Sequence, residues 1–310
     1  MRQTIAFEKR VAVRACASTV GPKEGKGPLG WCFDRVLEDD LLGQESWEKA
    51  ESRMMQDTIE MCLAKAGLPV QSVEVLLAGD LQGQIMSSAF AARELGVPYL
   101  GLYGACSTMI EAMAVGGILV EGGYRKNALC SASSHFCTAE RQFRGPVELG
   151  SQRPPSASWT TTACGALLLD GGKQPGVARL THVTLGREVD YQIKDANHMG
   201  AAMAPAVADT ITAHLTDTGR SFADYDLIAT GDLGYIGRNI LKELLIQRGV
   251  KVADEKLIDC GASMFSSEQD AHAGGSGCGC VASVTCGYIL RKVQAGEYHR
   301  VLVIGSGALL

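Results

Sequence analysis

The feature that most constrains this chain is a pattern that occurs twice. Residues 76–83, LLAGDLQG, return at 227–235 as LIATGDLGY; each is an apolar run ending in Gly-Asp-Leu and a further Gly. Gly123-Tyr124-Arg125 precedes one apolar run, and Glu297-Tyr298-His299-Arg300 precedes another. Setting Tyr124 on Tyr298 gives an offset of 174, and the same offset sets Cys106 on Cys280. Separate landmarks in one register predict a duplicated chain. The linker Gly171-Gly172-Lys173-Gln174-Pro175-Gly176 divides it into halves 1–172 and 173–310.

Strand-like and helix-like patterns alternate in both halves. Strands are predicted at 10–20, 73–80, 99–103, 127–133, 161–170, 177–186, 225–232, 256–261 and 301–307. Helices are predicted at 46–67, capped by Ser46, at 84–95, after Cys106, at 205–215 with Pro205 in the first turn, at 237–248 and at 278–295. Residues 138–158, rich in Arg, Pro and Ser, read as a polar loop whose Arg141, Arg144 and Arg153 face water by default, the alternatives being an anionic ligand or lipid headgroups. Trp31–Leu42 mixes apolar and acidic residues, as a docking surface or a covering loop does. The alternation implies parallel sheets covered by helices.

Composition narrows the function classes. A net charge of −5 without a basic stripe argues against nucleic acid as a partner. The eleven cysteines are odd in number and spread through predicted strands and helices, which is not a disulfide framework. Cys278-x-Cys280 lacks a second pair at metal-ligand spacing, so no metal site and no cofactor is expected, and free thiols in a reducing compartment are the simpler account. The N-terminus has no long apolar segment, so no signal peptide is expected. No run reaches the roughly 18 apolar residues of a membrane span.

Residues 97–123 carry the chemistry. An apolar run to Tyr103, the small turn Gly104-Ala105, Cys106, and a helix rich in small residues form a strand–Gly-x-Cys–helix elbow. Ser107 or Thr108 is placed to cap that helix. Unpaired N–H groups and the helix dipole at the helix start favour negative charge, so a stabilised thiolate is expected at Cys106. The plainer alternative is a small buried residue at a tight turn.

Several stretches together resemble the thiolase superfamily of thiolases and ketoacyl synthases. They are the elbow Tyr103-Gly104-Ala105-Cys106-Ser107-Thr108, the strand WTTTACGALLL at 159–169, the loop His272-Ala273-Gly274-Gly275-Ser276-Gly277, and the closing run Val303-Ile304-Gly305-Ser306-Gly307. The resemblance implies a duplicated α/β fold, two βαβαβαββ halves layered α-β-α-β-α. Longer stretches are similar to the stage V sporulation protein AD family: GWCFDRVLEDDLLGQESWEKAE at 30–51, GLYGACSTMIEAM, NHMGAAMAP and ATGDLGYIG. That resemblance implies a non-catalytic protein that binds dipicolinic acid, alone or with calcium. It also implies SpoVA membrane proteins as partners, a peripheral place at the inner spore membrane in sporulation and germination, and a homodimer formed by first-half sheet edges.

The residues depart from the enzymes where carbon–carbon chemistry needs them. After the strand YDLIAT the synthases carry His and the thiolases Asn-Glu, whereas this chain has Gly231-Asp232-Leu233. Gly231 offers no side chain, and anionic Asp232 is a poor donor to an enolate. The synthase Asn loop is replaced by the His272 loop, and Gly305-Ser306-Gly307 stands where thiolases carry Cys-x-Gly. The expectation is a retained pocket with dismantled chemistry; the alternatives are an active acyltransferase using Cys106 and an interaction scaffold. A flat diacid calls for cationic or N–H donors at both ends. The candidates are the helix start at Cys106 with His135, Arg187, Lys194, His198 and His272, and Asp232 beside them. Calcium would be held by the ligand's own oxygens and nitrogen.

Overall fold

The computed structural model describes residues 2–143, 153–172 and 174–308, and Lys173 and Arg144 lie outside them. The strands among these residues are β1 (Thr4–Val20), β2 (Arg35–Val36), β3 (Leu76–Gly79), β4 (Tyr99–Gly101), β5 (Asn127–Ser134), β6 (Trp159–Thr160), β7 (Ala163–Asp170), β8 (Ala178–Thr184), β9 (Leu227–Thr230), β10 (Leu257–Asp259), β11 (Gly275–Ser276) and β12 (Val301–Ile304). One sheet runs β2-β1-β7-β5-β3-β4, with β8 added on β1; a second runs β10-β9-β12. In each sheet one strand has two parallel neighbours: β3 lies between β4 and β5, and β9 between β10 and β12.

Burial explains the layering. The interior strands β3, β5 and β7 are buried along nearly their whole length, so helices must cover both faces. On the outer face, helix Trp47–Ala66 seats Met54, Met55, Ile59, Cys62 and Leu63 against Leu76, Leu129 and Leu168. Its ends are as the sequence predicts: the Ser46 hydroxyl accepts from the Lys49 N–H at 3.3 Å, and Gly67 adopts a left-handed φ of 65°. Helices Thr108–Glu121 and Cys278–Val284 fill the layer between the sheets, touching Leu77, Cys130 and Leu167 on one side and Leu227 and Ala229 on the other. Helices Met199–Thr218 and Gly234–Gln247 close the far face over Ile228, Leu257 and Ile304. The order is α-β-α-β-α. Two glycines let the middle layer approach the first sheet: a methyl on Gly165 would fall 2.3 Å from the Ala282 carbonyl oxygen, and one on Gly279 2.2 Å from that of Ala163.

Four expectations need correction. The first sheet is mixed, because β7 runs antiparallel to β1 and β5, and β8 antiparallel to β1. β4 is a half-exposed edge strand, paired only with β3. Residues 136–143 form a helix, held by stacking of Phe136 on Trp159 at 4.0 Å and by an Arg153–Glu140 ion pair at 2.6 Å. The helix containing Pro205 begins at Met199, since Asp195 caps the turn before it by accepting from the Asn197 N–H. Among the described residues no helix is long and apolar enough to cross a membrane.

Glu24, Glu51 and Asp80 are among the carboxyl groups packed inside the first half. Glu51 accepts from Gln82 (2.7 Å), Thr138 (2.9 Å) and Ser133 (3.0 Å), and Asp80 accepts from the Ser88 and Gln82 amides. Glu24 accepts from the Thr162 N–H at 3.0 Å. Burial is the largest influence on each and raises its pKa, that of Glu24 to about 7. An acid whose folded pKa is raised holds its proton more tightly in the native state, so the stability it contributes is lost as pH rises through that value. The melting temperature is therefore expected to fall as pH rises from about 4.5 to about 8, and Glu51→Gln to flatten that slope in thermal melts across the range.

Candidate functional site

The elbow follows β4. A turn of 3-10 helix, Ala105–Ser107, leads directly into helix Thr108–Glu121. Ala105 has a φ of 48°, a left-handed conformation that is costly for a residue with a Cβ. The turn is stitched locally: the Ser107 and Thr108 hydroxyls each donate to a turn carbonyl at 2.7 Å, Gly104 and Ala105 respectively. These hydroxyls brace the elbow and do not cap the helix, as the sequence had suggested. Gly307 closes over the turn from the chain's last strand, its Cα facing the Gly104 oxygen and the Cys106 nitrogen.

Cys106 is 3% exposed, and burial raises its pKa well above the ordinary thiol value. The next influence, in the same direction, is the Asp232 carboxylate beside it; Gly277 and Ser276 offset this only in part. The expected thiolate is thus overturned, because dehydration and a neighbouring anion outweigh the helix start. Asp232 accepts from the Gly277 N–H at 2.8 Å and the Ser276 hydroxyl at 3.2 Å, and burial pushes it up to about 6. A methyl on Gly231 would meet nothing closer than 3.6 Å, so the missing side chain there is a chemical absence and not a steric demand.

Asp259 holds this arrangement in place. It accepts from the Thr230 hydroxyl (2.6 Å) and from the N–H groups of Leu233, Gly234 and Ala262 at 2.8–2.9 Å, which fixes the turn that carries Asp232. Sequence reasoning missed Asp259, Ser276 and Cys278, although an Asp ending the apolar run LID was a visible cap signal. Cys278 donates to the Ser133 carbonyl at 2.9 Å; burial raises the pKa of Tyr103, and Cys278 and Cys106 nearby add to that rise.

The predicted ligand residues do not all converge. Cys106 and Asp232 adjoin. His198 and His272 flank the Asp232–Tyr235 turn: Gly200 packs on the Leu233 carbonyl, and the Tyr235 N–H donates to Ala273 at 2.8 Å. Both histidines reach solvent, each 3.8 Å from an aspartate, Asp195 and Asp270. Lys194 is exposed on the segment leading to His198. Arg187 is turned to Asp209, which it binds with two hydrogen bonds of 2.7 and 2.8 Å. His135 is fully buried, donating from Nε2 to the Asp40 carbonyl at 2.8 Å and accepting the Cys137 N–H on Nδ1 at 3.2 Å, so neither ring nitrogen is left for a ligand. Three surface cavities lie elsewhere: one of about 240 Å³ between β8 and β12, one beside Arg35 and Asp57, and one beside Arg14 and Arg291; Cys106 lines none of them.

Solved structures share this architecture. The chain is similar to Xanthomonas campestris OleA bound to cerulenin (TM-score 0.65, 13% identity, 97% of this chain and 94% of that one). It is also similar to 3-oxoacyl-[acyl-carrier-protein] synthase III from Aquifex aeolicus (0.60, 12%, 96% of each chain) and to human mitochondrial 3-ketoacyl-CoA thiolase in complex with CoA (0.61, 11%, 97% and 96%). At such identities the likeness shows the fold alone, and that fold is thiolase-like. Stage V sporulation protein AD of Bacillus subtilis (strain 168) is 43% identical over 309 residues, covering 100% of this chain and 90% of that protein. With the profile of that family matching residues 1–310 as well, the chain belongs to the stage V sporulation protein AD (SpoVAD) family.

Proposed function

We propose that this chain is a non-catalytic subunit of the sporulation machinery that binds dipicolinic acid, alone or as its calcium complex. In this reading it works as a homodimer with SpoVA membrane proteins, peripherally at the inner spore membrane. The observation that carries the non-catalytic part is the Asp232 carboxylate against a buried Cys106. A condensing nucleophile needs a low thiol pKa and an enolate needs a donor; here an anion occupies the place of the donor and suppresses the thiolate. Family membership supports the role in sporulation. The ligand face in this reading is the rim over the elbow, where Lys194, His198 and His272 remain exposed.

The dimer contact in this reading is the β4 edge. Its unpaired backbone groups and the exposed Leu100, Met86 and Phe90 suit pairing with a second copy. Sedimentation is expected to give a dimer for the natural chain, and a monomer for Leu100→Lys.

Calorimetric titration with dipicolinate, with and without calcium, tests the ligand. Saturable binding is expected, with stabilisation by about 2.7 kcal/mol at a hundredfold excess over Kd, weakened by His198→Ala or His272→Ala and largely kept in Cys106→Ala. Turnover of an acetoacetyl thioester with no dipicolinate-dependent change in melting would reverse the reading. A separate measurement tests the electrostatics. Asp232→Asn removes the neighbouring anion, so alkylation of Cys106, followed by peptide mass spectrometry at neutral pH, is expected to speed up about threefold for each unit by which the thiol pKa falls, the larger thiolate fraction being partly offset by lower nucleophilicity.

A further inference from the structure

One edge of β1 carries a notch. β7 covers the other edge from Ala12 to Val20. On the notched edge β8 leaves at Val13 and β2 joins only at Thr19, so residues 14–18 have no strand beside them among the described residues. A cavity of about 420 Å³ opens there, lined by Arg14, Cys16, Asp34, Lys65, Cys286 and Arg291. Two irregularities supply lining residues. The β1–β7 register slips between Val13 and Ala15, which makes a bulge at Arg14. Thr285–Ile289, which carry Cys286, wind as a π-helix just before Arg291. Each breaks a regular hydrogen-bond ladder, and such breaks re-aim side chains and recur at functional sites.

The charges in the notch suit an anion. Lys65 and Arg291 both reach Asp34, at 2.7 and 3.3 Å, and Ser18 donates to the same carboxylate from its N–H at 2.9 Å and its hydroxyl at 3.3 Å. The acid is the covered partner: its side chain is 12% exposed, against 43% for Lys65 and 46% for Arg291. A solute entering the notch therefore meets cations first. Arg14 gives one nitrogen to Asp170 and the other to the Ala66 carbonyl, both at 3.1 Å, and Lys65 also donates to the Cys16 carbonyl at 3.0 Å. Those bonds hold two of the three cations in place. Among the described residues the Arg291 guanidinium makes only its one long bond to Asp34, which leaves most of its N–H groups for a ligand. Counted with Asp170, which does not line the cavity, three cations stand against two acids.

We propose that this notch binds a phosphate group, carried by a soluble phosphate ester or by a phospholipid headgroup. Arg291 and Lys65 make the main contacts and Arg14 completes the set. The cations come from three separate elements, β1, helix Trp47–Ala66 and helix Leu290–Gln294. Donors converging from three sides match a group with three outer oxygens better than a carboxylate with two, and a guanidinium fork fits phosphate geometry. The notch is separate from the elbow, and none of this rests on the ligand assigned above.

Calorimetric titration in phosphate-free buffer tests it, with inorganic phosphate and glycerol 3-phosphate as probes. Saturable binding at one site per chain is expected. Arg291→Ala and Lys65→Ala are each expected to weaken it about tenfold, the loss of one charge-assisted hydrogen bond, and Arg291→Lys to fall between the natural chain and Arg291→Ala. Arg53→Ala removes an exposed cation outside the notch and is expected to change nothing. A headgroup source is expected to appear as pelleting with phosphatidylglycerol vesicles that Arg291→Ala reduces, with little binding of the soluble probes; a soluble ester gives the reverse. No binding of either soluble probe or of the vesicles would overturn the proposal. So would binding that Arg53→Ala weakens as much as Arg291→Ala, which would make the attraction one of diffuse surface charge.

Discussion

The geometry around the elbow depends on two carboxyl groups buried at the ends of the second-half strands. Asp259 gathers a hydroxyl and three backbone N–H groups, and so forces the chain after β9 into one turn. That turn delivers Asp232 to the end of β11 and to the thiol of Cys106. Burial makes both groups costly when charged, and hydrogen bonds offset that cost. Among the described residues no cation pairs with either carboxyl, so the positive field that would sharpen a nucleophile is missing there.

In the proposed reading, this is how the fold outlasts the chemistry. The elbow keeps its strained Ala105, its hydroxyl braces and its buried helix, all of which are packing features. Reactivity is set separately, by what faces the sulfur. In the proposed reading one carboxylate stands in place of a donor and reverses the electrostatics at the sulfur, and a side chain at Gly231 would meet no close contact.

Much of the fold was legible along the chain. Helix Trp47–Ala66 announces itself by its apolar stripe and by caps at both ends, and the buried strands by short apolar runs. The repeat was read from a Tyr and a Cys in one register; Cys106 lies in a 3-10 turn before a helix and Cys280 within the first turn of helix Cys278–Val284. Strand direction was not, since an apolar run reads alike whichever way its neighbours point. The helix after β5 was hidden because Phe136 and Glu140 draw on Trp159 and Arg153, beyond a polar stretch. At the site, Cys106 and Asp232 could be named but not their mutual effect, which arises from burial that only the assembled layers create. His135 misled for the same reason: a histidine at a strand end reads as a ligand group until Asp40 is seen to occupy it.

The cysteines carry a consequence for durability. All eleven are free, ten of them are buried, and burial raises the pKa of every one. Peroxide attacks thiolates that it can reach. A protein built this way ages slowly by oxidation: its sulfur is stored as inert filling, and only Cys137, half-open to solvent beside the helix that follows β5, offers oxidants a foothold.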